Sequence, residues 1–295
     1  MSVAKKLDSK NFNIQGVFDY QDLDLTTKCY ELFAEKMYEI AGVDLPFSPK
    51  NHALLRNRLI KILRRRGLMT YEQYWDLVKD GGPDVISEFV SALTTNMTSF
   101  FRESAHFDFL SKILPERFSK SELRIWCCAS STGQEPYTIA MTVKESLPDV
   151  QIARTKILAT DIDQQVLKKA SIGAYDEKDL QGLSPTLRQK YFNRVKSTDK
   201  KHTEDFFQAS DDIHKLIRFA YFNLMSETYV FQNKFQIIFC RNVLIYFDEP
   251  TTKRVINNLA STLAPGGYLI LGHSESGNVK HPHLKPLSRA IYQKL

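Results

Sequence analysis

Short apolar segments alternate with helical segments over the C-terminal part of the chain, and this alternation limits the possible folds more than any other feature of the sequence. The segments typical of buried strands are 123–129, 156–160, 236–240 and 268–272, the last after a predicted turn at 264–267. The helical segments between them are 136–145, 163–170 and 250–263, with Asp163 as a predicted helix cap. Strands that alternate with helices form a mainly parallel sheet with helices on both faces. The sequence therefore predicts an α/β domain, which we assign to residues 105–295.

The N-terminal part has a different periodicity. From Leu25 to Leu93, apolar residues recur at helical spacing in runs that are separated by glycine- and proline-containing turns. This pattern predicts a small all-helical domain, to which we assign residues 23–93. Two domains also fit the length of 295 residues, because single domains usually have roughly 100–200 residues. Residues 1–22 show no sustained period and are expected to form a mobile arm.

One stretch of the C-terminal part fits the alternation poorly. Residues 173–222 are rich in charge and end in a strand-like segment, 215–222. We predict that this stretch is a small β-rich subdomain inserted into the α/β domain. Residues 94–104 would link the helical domain to the α/β domain and contribute to its active site.

Composition excludes several classes of protein. No apolar run reaches the ~18 residues of a membrane span, and the polar N-terminus lacks the apolar core of a signal peptide, so we expect a cytoplasmic protein without direct membrane insertion. The four cysteines contain no Cys-x-x-Cys pair, which argues against a zinc site, and we expect no bound metal. The net charge of +6 predicts an acidic partner without specifying its class.

Two segments concentrate polar side chains among aromatic residues: 94–102 (Thr-Thr-Asn-Met-Thr-Ser-Phe-Phe-Arg) and 240–247 (Cys-Arg-Asn-Val-Leu-Ile-Tyr-Phe). Their polar side chains include those of Asn96, Thr98, Arg102, Arg241 and Asn242. In a packed core these groups would be costly, because each desolvated polar group must find a partner. The two segments are therefore predicted to line a ligand pocket.

Open α/β sheets bind ligands at the carboxyl ends of their strands. The first predicted strand runs into residues 130–136, whose small side chains let a ligand approach the backbone, although they do not form a Gly-x-Gly-x-x-Gly loop. Glu135 either complements the dipole of the following helix or binds a cationic ligand group. Asp161 follows the second strand, where nucleotide-binding folds place an acid that binds ribose hydroxyls. It could instead cap a helix, a role that Asp163 would fill equally well.

Three further segments complete a family pattern: 129–137 (Ala-Ser-Ser-Thr-Gly-Gln-Glu-Pro-Tyr), 160–163 (Thr-Asp-Ile-Asp) and 272–276 (Gly-His-Ser-Glu-Ser). With the two polar segments, they closely resemble the CheR-type chemotaxis receptor methyltransferases, which transfer a methyl group from S-adenosylmethionine to receptor glutamates. The resemblance runs from about Leu25 to the C-terminus. It implies a Rossmann-like, S-adenosylmethionine-dependent methyltransferase domain with a small inserted β-subdomain, preceded by an all-helical domain.

The resemblance also assigns roles to residues. The implied contacts of S-adenosylmethionine, and of the product S-adenosylhomocysteine, are Asn96, Thr98, Arg102, Glu135, Asp161, Asn223, Leu224, Arg241 and Asn242, with Asp161 on the ribose. We also place His273 and Ser274 in the pocket wall. The chain departs from the family at Gln134, where a second glutamate is usual. The 173–222 insertion resembles the family least; in some members it docks a receptor's C-terminal peptide, and the sequence leaves open whether this one does.

Methyl transfer to a carboxylate needs no activated nucleophile, because a glutamate is already ionised at neutral pH. The protein has to desolvate and align the acceptor. Arg102 is the predicted partner of the acceptor carboxylate, since its planar fork can hold one oxygen and leave the other to attack. Tyr246 is predicted to orient the acceptor through its hydroxyl. The alternatives are a structural salt bridge for Arg102 and a packed aromatic ring for Tyr246.

The densest basic run is 56–66. At roughly 100° per residue, one side of a helix carries Arg58, Lys61, Arg64 and Arg65, and the other side carries Leu55, Leu59, Ile62 and Leu63. The cations either form a solvated face or dock an acidic partner. In the resembled family the corresponding helix faces the receptor, so the expected partner is the cytoplasmic domain of a methyl-accepting chemotaxis receptor.

Two other functions are alternatives. A methyltransferase of the same fold could act on nucleic acid, but the chain lacks the acidic or amide residue before Pro-Pro-Tyr or Pro-Pro-Phe that amino-methylating DNA enzymes carry. A non-catalytic receptor-binding adaptor is disfavoured by the presence of Arg102, Glu135, Asp161 and Tyr246. We expect a monomeric enzyme with no nucleic-acid partner.

Overall fold

The computed structural model describes residues 20, 23–118, 122–196 and 205–295. The arm predicted for residues 1–22 therefore lies outside the described residues, apart from Tyr20. Within this part of the chain, no helix combines the length and the apolar character that crossing a membrane requires.

The N-terminal part is helical, and its helices are α1 (Thr27–Ala41), α2 (Pro49–Arg66), α3 (Tyr71–Asp80) and α4 (Pro83–Leu93). The side chains of Thr26, Ser48 and Thr70 cap the first three by accepting backbone N–H bonds. The apolar faces of the helices pack together around Phe33 and Tyr74. Helix α2 buries the predicted side, Leu55, Leu59, Ile62 and Leu63.

The remaining elements, in chain order, are α5 (Ala105–Arg117), β1 (Leu123–Cys127), α6 (Gln134–Ser146), α7 (Asp149–Ile152), β2 (Thr155–Asp161), α8 (Gln164–Ile172), β3 (Ala174–Tyr175), α9 (Pro185–Tyr191), β4 (Phe192–Val195), β5 (Phe206–Ala209), α10 (Asp211–His214), β6 (Ile217–Tyr221), β7 (Phe235–Cys240), α11 (Glu249–Thr262), β8 (Leu263–Leu271), β9 (Leu284–Ser288) and β10 (Ile291–Lys294). Short 3₁₀ helices lie at Asp179–Gly182, Leu244–Tyr246 and Ser276–Asn278.

The strands form a seven-stranded sheet in the order β6-β2-β1-β7-β8-β10-β9. The pairs from β6 to β8 are parallel, and β10 runs antiparallel to both β8 and β9. Alternate side chains of the strands enter different cores, because successive residues of a strand face opposite sides of the sheet. Ile125 and Ile237 lie in the core that includes residues of α5 and α6, and Trp126 and Ile238 lie in the core that includes residues of α11. The predicted α/β fold is confirmed.

Two local predictions need correction. Residues 264–267, predicted as a turn, lie within β8, where the pairing with β7 is irregular between Phe235 and Ile237. The small second sheet has the order β3-β5-β4, and β6 does not belong to it, since Ile217–Tyr221 pairs with β2 in the large sheet. The predicted subdomain, 173–222, therefore extended too far. Periodicity identifies a strand but not the sheet that it joins.

Candidate active site

A cavity of about 510 Å³ opens where β1, β2 and β7 end and where the helical part meets the sheet. The helical part contributes Ala41, Leu54 and Leu93 to its lining. All of the predicted cofactor contacts and Tyr246 line it: Asn96, Thr98, Arg102, Glu135, Asp161, Asn223, Leu224, Arg241, Asn242 and Tyr246. The structure thus brings together residues from five separate parts of the sequence. His273 and Ser274, the predicted residues of the pocket wall, are not among the lining residues.

Asp163, which follows β2, holds the segment after α4 in place through hydrogen bonds. One carboxylate oxygen of Asp163, Oδ2, accepts hydrogen bonds from Thr94 Oγ1 (3.2 Å) and Asn96 Nδ2 (3.0 Å). The other oxygen, Oδ1, caps α8 by accepting from the backbone N–H of Gln165 at 2.9 Å. Asp163 therefore fills the predicted capping role and also positions one wall of the cavity.

Asp161 ends β2 and joins it to the loop after β1. Its carboxylate accepts the backbone N–H groups of Ser131 (2.8 Å) and Asp163 (2.9 Å), one on each oxygen. Burial raises the pKa of Asp161 to about 6, although these backbone hydrogen bonds oppose the shift. Because a carboxylate oxygen can accept two hydrogen bonds, each oxygen retains capacity for a ligand hydroxyl.

Arg241 lines the cavity, and its side chain has no exposed surface. Its Nη1 donates to Glu135 Oε2 at 2.6 Å, while Nη2 donates to Glu103 Oε2 at 3.2 Å and to the Arg102 carbonyl at 2.5 Å. Burial alone would raise the pKa of Glu103, but Arg241 and a hydrogen bond from Asn242 hold that pKa below its usual value. Two carboxylates thus face one guanidinium.

Glu103 was not identified from the sequence. It has a left-handed backbone conformation (φ 55°), and its carboxylate also accepts from Asn242 Nδ2 (3.3 Å) and from the backbone N–H of His273 (3.1 Å). His106 lies beside it, with Nδ1 3.5 Å from Glu103 Oε2. Burial and Arg241 lower the pKa of His106 to about 4, so its ring is neutral at neutral pH.

Glu103, His106 and His273 have the ligand types of a metal site, with candidate ligand atoms within 4.8 Å of one another. The guanidinium of Arg241, however, already pairs with the Glu103 carboxylate, so Glu103 does not need a metal ion as its cation. We therefore interpret the three side chains as part of the network that holds Arg241 in place.

Glu275 holds the turn that follows β7, and it too was not identified from the sequence. Its buried carboxylate accepts four backbone N–H groups, from Asn242 (2.8 Å), Val243 (2.8 Å), Leu244 (2.8 Å) and Gly272 (2.6 Å). These bonds fix the turn that carries Tyr246. The signal in the sequence is the segment 272–276, whose predicted pocket residues are His273 and Ser274, the neighbours of Glu275.

Hydrogen bonds join the helical part to the α/β part near the cavity. The backbone N–H of Asp44 donates to the Tyr246 carbonyl at 2.8 Å, and Tyr38 Oη donates to Asp248 Oδ2 at 2.9 Å. Asn223 Nδ2 donates to the Ile40 carbonyl at 2.7 Å. The Asn223 side chain thus joins the two parts of the chain beside the cavity.

Arg102 is half-buried, and its Nη1 donates to the Met97 carbonyl at 2.8 Å. Among the described residues it forms no ion pair, which removes the salt-bridge alternative within that part of the chain. Its guanidinium lines the cavity and retains donors for a ligand.

The predicted docking cations separate into two groups. Arg58 is half-buried and donates through Nη1 to the carbonyls of Leu93 (2.8 Å) and Thr94 (2.6 Å), so it caps the C-terminus of α4. Lys61, Arg64 and Arg65 are exposed, and Arg65 pairs with Glu88. We therefore leave Arg58 out of the exposed docking surface.

Comparison with known proteins gives matches over most of the chain. The family described as "CheR methyltransferase, SAM binding domain" matches residues 96–291, and "CheR methyltransferase, all-alpha domain" matches residues 29–94. A "Probable chemotaxis protein methyltransferase" of Rhizobium etli is 42% identical over 253 residues, which cover 83% of this chain and 92% of that protein.

Two further relatives, each described as "Chemotaxis protein methyltransferase", come from Borreliella burgdorferi and Escherichia coli. The first is 39% identical over 269 residues, covering 88% of this chain and 91% of that protein. The second is 35% identical over 255 residues, covering 86% of each chain. The two family matches meet at residues 94–96, in the segment that lines the cavity.

Proposed function

The chain belongs to the CheR methyltransferase family, and we propose that it transfers the methyl group of S-adenosylmethionine to glutamate carboxylates on the cytoplasmic domain of a chemoreceptor. Methyl transfer from S-adenosylmethionine follows from the family. Glutamate as the acceptor rests on the resemblance and on the placement of Arg102 in the cavity. That placement is the observation that carries the proposal, because a desolvated carboxylate needs a cationic partner.

The residues of the cavity fit S-adenosylmethionine. The cavity volume of about 510 Å³ lies within the range of small-molecule sites. The ligand carries an ammonium and a sulfonium, and the carboxylates of Glu135 and Asp161, which line the cavity, suit such cationic groups. Asp161 keeps acceptor capacity for the ribose hydroxyls. When bound, the cofactor supplies an electrophilic methyl group.

In the proposed mechanism the protein aligns the acceptor and excludes water. Arg102, oriented by the Met97 carbonyl, holds one oxygen of the acceptor carboxylate while the other is free to attack. Tyr246, on the turn fixed by Glu275, orients the acceptor through its hydroxyl. No proton has to move, since the acceptor is ionised at neutral pH. The helical part closes the cavity through Asp44 and lowers its access to water.

Each part of the chain has a separate task in this proposal. Residues 23–93 dock on the receptor, residues 94–104 link the parts and contribute to the site, and residues 105–295 bind the cofactor. We also propose that the enzyme works as a monomer in the cytoplasm, where a receptor's cytoplasmic domain is accessible. The relatives' descriptions as chemotaxis methyltransferases favour neither a nucleic-acid substrate nor a non-catalytic adaptor.

The proposal is tested by offering the protein tritiated S-adenosylmethionine with a receptor cytoplasmic domain and RNA as competing acceptors. We expect base-labile label on the receptor domain only, because glutamate methyl esters hydrolyse in base. Label on RNA would identify a nucleic-acid enzyme. Receptor binding without label on either acceptor would identify an adaptor.

The pH dependence of cofactor binding tests the role of Asp161. An ionised carboxylate accepts hydrogen bonds more strongly than the acid, so affinity for S-adenosylmethionine should rise as pH increases through about 6. At about pH 7, Asp161→Asn should bind about tenfold more weakly, near the lower end of what a hydrogen bond to a charged group contributes, and its affinity should change little with pH. Calorimetry from about pH 5 to 7 measures both effects. Asp44→Asn, at an exposed acid that also lines the cavity, is the control. A full pH response in Asp161→Asn would assign the titration to another group.

The salt dependence of receptor methylation tests the basic surface of α2. Alanine at Lys61, Arg64 and Arg65 should raise the apparent KM for the receptor domain and flatten its dependence on ionic strength, because fewer screened charge pairs remain. The matched control replaces three cations at the other end of the sheet: Lys156, Lys215 and Arg218. Equal salt responses of the two triple variants would place the receptor elsewhere.

A further inference from the structure

Two large apolar side chains stand at the opening of the cavity. Met97 is 79% exposed and Ile245 is 51% exposed, and both line the cavity. A side chain that lines a cavity and also faces solvent marks the place where the cavity opens. Single exposed apolar residues are ordinary on protein surfaces. A pair at the entrance of one site is more informative, because whatever enters the site must pass both.

These side chains are carried on fixed backbone. The Met97 carbonyl accepts the hydrogen bond from Arg102, and Ile245 lies between Leu244, whose N–H donates to Glu275, and Tyr246, whose carbonyl accepts from Asp44. Each belongs to one of the two polar segments that line the cavity. The surface around the opening is thus ordered before a partner arrives, which reduces the entropy lost on binding.

The acceptor itself determines what covers this surface. A glutamate side chain is short, so the backbone that carries it must lie against the opening when the carboxylate reaches Arg102. The acceptor of the proposed function lies on a helix of the receptor's cytoplasmic domain, where the residues three and four positions away are its neighbours, with Cβ atoms about 5–6 Å apart. Those neighbours are the side chains that would meet Met97 and Ile245. A charged neighbour there would be desolvated against apolar groups and left without a partner.

We propose that Met97 and Ile245 form an apolar rim that recognises apolar side chains one helical turn from the acceptor glutamate on the receptor. This inference rests on the proposed function and adds a source of specificity that differs from the cations of α2. The cations attract an acidic receptor over a distance, whereas the rim selects which glutamates can enter the site. Lys50 is exposed and also lines the cavity, so its ammonium group is available to pair with an acidic residue on another side of the acceptor.

The test uses neutral polar substitutions, so that charge repulsion from the receptor plays no part. Met97→Gln combined with Ile245→Gln should raise the KM for the receptor domain about tenfold, as loss of a central interface contact does, with cofactor affinity and salt dependence unchanged. Val150→Gln combined with Val230→Gln is the matched control, because these residues are 70% and 88% exposed and do not line the cavity. Equal KM values for the two double variants would contradict the proposed role of the rim in receptor recognition.

A double-mutant cycle shows whether the contact is direct. Receptor variants carrying Asp in place of the apolar residues three and four positions from an acceptor glutamate should be poorer substrates for the unaltered enzyme, and this penalty should shrink with the rim variant. An undiminished penalty would also overturn the rim.

Receptor binding in the presence of S-adenosylhomocysteine separates the two proposals. If the unaltered protein binds the receptor domain but does not methylate it, the proposed function fails, and the rim is then judged by the dissociation constants of the two double variants. If it does not bind the receptor domain at all, both proposals fail.

Discussion

Arg102→Ala is expected to lower turnover by roughly 100-fold at saturating S-adenosylmethionine, which corresponds to loss of one charge-assisted positioning contact of about 3 kcal/mol. The physical reason is the position of the guanidinium, which lines the cavity and is oriented by the Met97 carbonyl. Arg102→Lys should recover only part of the loss, because an ammonium lacks the planar fork. Methyl transfer to the receptor domain, measured with saturating cofactor, tests this expectation without interference from altered cofactor affinity.

Arg117→Ala is the matched control for this experiment. Arg117 is an exposed arginine on α5 whose guanidinium lies over the ring of Tyr268, and it does not line the cavity. Turnover should therefore stay near that of the unaltered enzyme. Full activity in Arg102→Ala would contradict the proposed role and leave the orientation of the acceptor to other groups. Tyr246→Phe would then be the next variant to examine.

The sequence predicted which residues line the cavity better than it predicted their partners. Asp161 and Arg241 could be placed because each follows a recognisable strand, and the ends of parallel strands meet at one edge of the sheet. The ion pairs of Arg241 could not be predicted. Glu135 lies 106 residues away in the chain and Glu103 lies 138 residues away, so their contacts with Arg241 depend on the sheet order and on the path of the linker.

Helical periodicity had the same limit on α2. It correctly separated the buried side, including Leu59, from the side that carries the cations. It could not show that Arg58 lies next to the C-terminal carbonyls of α4. Those carbonyls belong to a neighbouring helix, and the periodicity of α2 gives no information about where that helix lies. The interpretation of β6 failed for a related reason. Local pattern specifies the element, whereas its partner is set by the tertiary fold.

Arg241→Met is expected to reduce the free energy of unfolding by about 3–5 kcal/mol at about pH 7, because it leaves buried carboxylates without their cation. The side chains of Glu103 and Glu135 are only 16% and 13% exposed, so water would solvate their charges only in part once Arg241 is removed. In the unaltered protein the pKa of Glu103 is held below its usual value, and its ionised form stabilises the folded state above the unfolded pKa. In the variant, burial should raise the pKa instead. The deficit in stability should therefore be largest near neutral pH and shrink as the pH falls towards about 5.

Denaturant unfolding at several pH values measures this effect. Arg65→Met is the control, because Arg65 pairs with Glu88 at the surface, where an ion pair contributes at most about 1 kcal/mol. Adding Glu103→Gln to Arg241→Met should recover part of the lost stability, since it removes one of the unpaired charges. A deficit that is independent of pH and unaffected by Glu103→Gln would mean that Arg241 contributes through packing against Phe107, whose ring centroid lies 5.5 Å from its guanidinium, and not through charge.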